Sequence, residues 1–71
     1  MDRNEIEQHL VIAEQRVSDG ARHIDHQLRI IKDLERDGHD ATRARQVLQT
    51  METAQVMHDQ ERDRLVALLT S

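Results

Sequence analysis

The apolar positions of this chain recur at intervals of three and four residues along two long stretches, and a short glycine-containing segment separates them. In the first stretch Ile6, Leu10, Ala13, Val17, Ala21, Ile24, Leu28 and Ile31 mark one face. Residues three and four apart stack on one side of a 3.6-residue turn, so this spacing predicts an amphipathic α-helix. Asn4 suits its N-cap, and Glu7 three residues later completes a capping-box-like arrangement. The helix is expected over about residues 4–37. Gly20 is its soft point. Ser18-Asp19-Gly20 also reads as a break, with Ser18 or Asp19 capping a new helix. The apolar period stays in phase across Gly20, which favours one continuous helix. A mid-helix glycine costs about 1 kcal/mol relative to alanine, and it suits a place where another group approaches the backbone closely.

Gly38 fits the left-handed position that ends a helix, and Asp40 can cap the next one. A turn over residues 38–40 therefore leads into a second helix over about residues 41–70. Its seam is Ala41, Ala44, Leu48, Met51, Gln55, His58, Arg62, Leu65 and Leu69, with Val47, Ala54, Glu61 and Leu68 beside it. This seam is apolar at both ends and polar in the middle.

So short a connection makes the helices antiparallel, and residues 1–71 form a single all-α helical hairpin. If the chain reverses about His39, residues whose numbers sum to about 79 face each other. His58 then lies opposite Ala21 and beside Gly20, and Gly20, Ala21, Gln55, His58 and Arg62 form a mid-hairpin polar layer bordered by Glu61. Such a layer fixes register and partner number at some cost in stability. It also admits a second reading, as a ligand pocket or pH-sensing layer around His58.

On each helix the apolar arc spans roughly half the circumference, wider than the ~100° stripe of a helix with one buried face. Ile12, Ile30 and Leu34 widen it on the first helix, and Met57, Val66 and Leu68 on the second. One neighbouring helix does not cover such an arc, whereas two do. The expectation is a homodimer in which two hairpins pair into a four-helix bundle. Its core and interface comprise Ile6, Leu10, Val17, Ile24, Leu28, Ile31, Leu34, Leu48, Met51, His58, Leu65 and Leu69.

Composition narrows the function classes. The 71 residues contain no Cys, Phe, Trp, Tyr or Pro, which removes disulfides, thiolate metal sites and base-stacking platforms. The net charge of −4 argues against a general nucleic-acid binder. Arg22, Arg29, Lys32, Arg36, Arg43 and Arg45 make a mildly basic strip, but Asp25, Asp33, Asp37 and Asp40 interleave with it, as on a solvated face. No apolar run approaches a membrane span and no apolar signal region follows Met1, so the expected location is cytoplasmic. Five histidines invite a metal reading. His23 and His26, or Asp19 and His23, share a helix face, but neither Glu-x-x-His nor His-Glu-x-x-His occurs. No metal ligand set, cofactor or catalytic residue is assigned. A nucleophile beside a base, a phosphate-binding glycine loop and an acidic pair in a cleft are all missing. Pairs such as Arg3/Glu7 and Asp25/Arg29 read as solvent-facing i,i+4 ion pairs.

The stretch Leu34-Glu35-Arg36-Asp37-Gly38-His39-Asp40-Ala41-Thr42, with His23-Ile24 and Gln27 before it and Ala44, Leu48, Met51-Glu52, Gln55, His58 and Asp63-Arg64-Leu65 after it, resembles a group of short uncharacterised helical proteins of alphaproteobacteria, notably rhizobia. The likeness runs from about His23 to Leu65. It departs at Ala41, where the group often has Thr directly after Asp. It implies a small bacterial cytoplasmic protein and carries no activity with it. The expected function is a non-enzymatic, self-associating module that presents a helical surface to another protein. The alternatives are a small-molecule- or metal-responsive bundle with its site near His58 and His23, and a DNA-associated accessory protein.

Overall fold

The computed structural model describes residues 1–71 as two helices, α1 (Arg3–Arg36, 34 residues) and α2 (Thr42–Thr70, 29 residues), packed side by side as an antiparallel hairpin. The rod measures 53 × 14 × 14 Å. No helix is long and apolar enough to cross a membrane.

α1 starts earlier than the Asn4 cap implies. Asp2 holds an extended backbone, and its Oδ1 accepts the N–H of Glu5 at 2.8 Å. Asn4 therefore lies inside the first turn. Starting at Asp2 also lets Arg3 reach Glu7 at 3.1 Å, an exposed pair worth a few tenths of a kcal/mol. The helix runs unbroken through Gly20.

The end of α1 is closed by backbone geometry. Gly38 has φ +75°, the His39 N–H donates to the Leu34 carbonyl at 2.8 Å, and the Gly38 N–H donates to the Glu35 carbonyl at 3.1 Å. These are the two bonds of a Schellman motif, which needs a residue tolerant of positive φ where glycine stands. Beyond it, Asp40 acts one residue earlier than a standard N-cap. Ala41 occupies the cap position and is buried, while the Asp40 Oδ1 accepts from the Thr42 N–H at 2.9 Å and from its hydroxyl at 2.6 Å.

The Thr42 hydroxyl, then its N–H, holds the Asp40 carboxyl below its ordinary range. A depressed folded pKa means stability that is present above the unfolded value, about 4, and lost as pH falls through the folded one. An Asp40→Asn chain can still accept from Thr42 but does not titrate. The gap between its urea midpoint and that of the parent should be widest at neutral pH and shrink on acidification below pH 4; a gap independent of pH would refute this role.

The seam between the helices follows a strict alternation of four and three on α1: Ile6, Leu10, Ala13, Val17, Gly20, Ile24, Gln27, Ile31 and Leu34. It thus passes through Gly20 and Gln27, not Ala21 and Leu28. Leu28 is 49% exposed and Ala21 also faces solvent, whereas Gln27 is 7% exposed. Ala21 and Leu28 are the more apolar choices, but adopting them breaks the alternation with two successive steps of four. The tightest packing lies near the open end, where Ile6, Ala13 and Leu65 are buried and Leu10 and Leu69 pack against them. Ile31 and Ala41 are buried near the turn. Val17, Ile24, Leu34, Leu48, Met51 and His58 are half-buried.

Candidate functional site

Mid-hairpin, each helix sends one glutamine to the backbone of the other. The Gln55 Nε2 donates to the Val17 carbonyl at 2.9 Å, and the Gln27 Nε2 donates to the Ala44 carbonyl at 2.9 Å. Side chains three and four residues ahead of a helical carbonyl normally cover it. Ahead of Val17 these are Gly20 and Ala21, so its carbonyl is open to a second donor. The Gln55 amide lies directly over Gly20: a β-carbon built there would overlap Oε1 and come within 2.9 Å of Cδ. Oε1 itself is buried without a hydrogen-bond partner.

The polar layer therefore differs from the one expected. Gln55, not His58, sits on Gly20. The reason is register: the seam contacts pair numbers summing to about 71–75 (Gln27 with Ala44, Gly20 with Gln55), several below 79. Gly20, Gln55 and His58 still come together, since all three line one recess of about 90 Å³ with His23, Met51 and Ala54. Ala21 stays outside it. Arg62 is only half-buried, and its ion pairs with Asp59 (3.9 Å) and Asp63 (3.0 Å) stay on α2. Gln27 joins the seam as well, and its place in the unbroken four-three alternation is the sequence signal that marks it.

A second recess, of about 210 Å³, is lined by His9, Ile12, Ala13, Arg16 and Glu61. The Glu61 carboxylate accepts two bonds from Arg64, at 2.7 and 3.0 Å. Arg64 first, then His9 and Arg16, hold its carboxyl below the usual range. No group of three or more His, Cys, Asp or Glu side chains converges anywhere on the chain.

Both recesses open on the same side of the hairpin, and the two sides differ in charge. One side follows Glu7, Glu14, Ala21, Leu28 and Glu35 on α1, and Arg45, Glu52, Asp59 and Val66 on α2. The ion pair between Arg45 and Glu35 ties these two rows together. With their outer neighbours, this flank holds Glu7, Glu14, Asp25 and Glu35 of α1 and Glu52, Asp59 and Asp63 of α2, against Lys32 and Arg45, and Arg3, Arg29 and Arg62 reach onto it in ion pairs with Glu7, with Asp25, and with Asp59 and Asp63. That is seven carboxylates to five cations. The other side follows His9, Arg16, His23 and Ile30 on α1, and Val47, Ala54, Glu61 and Leu68 on α2. Its charges are Glu5, Asp19, Asp33 and Glu61 against Arg16, Arg43 and Arg64, and Arg22 and Arg36 reach onto it in ion pairs with Asp19 and Asp33, four carboxylates to five cations.

This geometry defines the class of molecule: a two-helix antiparallel hairpin with a glutamine-clasped middle and two flanks that differ in charge. No family model, curated protein or solved structure matches the chain.

Proposed function

We propose that the chain is a non-enzymatic, self-associating helical interaction module, pairing two hairpins into a four-helix bundle that offers a helical surface to another protein. One observation carries this reading: the single hairpin leaves too much surface open. Only 6 of 71 residues are buried, and the exposed area is 5422 Å². A compact monomer of 8.3 kDa exposes about 4,600 Å² by the scaling of area with mass. The excess, about 800 Å², equals what one partner contributes to an interface of standard size. Small domains without disulfides commonly complete their cores by association. Sedimentation velocity at tens of micromolar should return a species of twice the 8.3 kDa chain mass; a single species at the chain mass would overturn the proposal.

One observation favours a second reading, a small polar ligand or metal ion bound near His58. The recess there holds two imidazoles, from His23 and His58, beside the partnerless Gln55 Oε1. Calorimetric titration with zinc tests its metal form, and absence of binding heat would remove that form.

A further inference from the structure

We propose that the second copy docks on the charge-balanced flank, over Ile12, Ile30, Met57 and Leu68, and that the acidic flank stays outside the interface. This rests on the self-association reading above. Apolar area does not choose between the flanks. Ile12, Ile30, Met57 and Leu68 are exposed on one, and Val11, Leu28, Val56 and Val66 on the other. Charge does choose. A twofold dimer brings the same patch of both copies together. Pairing through the acidic flank sets seven carboxylates with five cations, a net −2, against an identical set, and like charges facing each other disfavour that pairing. Pairing through the other flank sets four carboxylates and five cations against the same mixture, so opposite signs can meet.

The charge-balanced flank is also self-complementary along its length. Ile12 and Leu68 sit toward the open end of the rod, and Ile30 and Val47 toward the turn. The two isoleucines lie about 27 Å apart at 1.5 Å per residue. The midpoint falls at the recess bordered by Gly20, His23 and Ala54. A twofold axis through that point lays the open-end patch of one copy on the turn-end patch of the other. The small Ala54 near the axis lets the hairpins approach there.

Neighbouring residues that face opposite flanks allow a matched test by sedimentation equilibrium. Ile12→Glu, Ile30→Glu and Met57→Glu each place a charge in the interface and should weaken association roughly 30-fold or more. Val11→Glu, Leu28→Glu and Val56→Glu should change it by no more than about threefold. All six positions are exposed in the hairpin, so circular dichroism should show unchanged helix content. If the parent chain dimerises but the second set disrupts it, or both sets act equally, the assignment of the face fails and self-association stands. If the parent chain is monomeric throughout, both fail.

Discussion

Leu65→Ala should abolish cooperative unfolding of the hairpin at 25 °C. Leu65 is the most buried side chain, 1% exposed, and it closes the cluster of Ile6 and Ala13 with Leu10 and Leu69 packed around it. Truncating a buried leucine costs about 2–5 kcal/mol, from lost transfer free energy plus the cavity left behind. A chain of this size has only about 3–5 kcal/mol from its core. The loss is therefore comparable to the whole margin. Leu28→Ala removes the same atoms from a half-exposed position and should stay within about 1 kcal/mol. Thermal melts followed at 222 nm compare the two directly. A Leu65→Ala chain with the parent's midpoint would show that the open-end cluster is not what holds the helices together.

The second large effect is expected at Gly20, and its form depends on Gln55. A leucine at position 20 must displace the Gln55 amide, which lies over the Gly20 Cα. The bond to the Val17 carbonyl is then lost, at about 0.5–1.5 kcal/mol, and overpacking adds about 1–3 kcal/mol. Gly20→Leu should therefore cost roughly 2–4 kcal/mol. Gly20→Ala is the finer probe. Alanine gains about 1 kcal/mol of helix propensity but its β-carbon pushes the same amide aside, so the two effects offset each other. In a Gln55→Ala background nothing is displaced, and Gly20→Ala should stabilise by about 1 kcal/mol. A double-mutant cycle should thus show a coupling of about 1 kcal/mol between the two sites. Additive effects in urea denaturation would mean that the glutamine clasp contributes nothing to stability.

The two helices and their reversal were legible because they rest on local chemistry. Leucines and isoleucines at three-four spacing, and a glycine where φ is positive, act within a turn or two of themselves. The seam through the middle of α1 was legible only in part. Hydrophobic identity favours Ala21 and Leu28 over Gly20 and Gln27, and within α1 only the unbroken four-three alternation points the other way. The reversal comes from α2. Ala44 presents a carbonyl to Gln27, and Gln55 needs the bare backbone at Gly20 to reach Val17. A buried amide is tolerable only when its bond is made, and that partner is known only once the helices are side by side.

The same division separates the termini of α1 from its flanks. Local sequence sufficed to require a cap near residue 4, and Asp2 and Asn4 are both good caps; the extended backbone at Asp2 and its bond to Glu5 chose between them. That seven carboxylates gather on one side of the rod and four on the other is invisible along the chain, where both signs alternate. Two antiparallel helices at one register gather residues from four separate rows into two flanks. Periodicity along the chain specifies which residues lie in one row of a helix. Which rows of different helices become neighbours depends on register, and register is settled by long-range packing of the two seams.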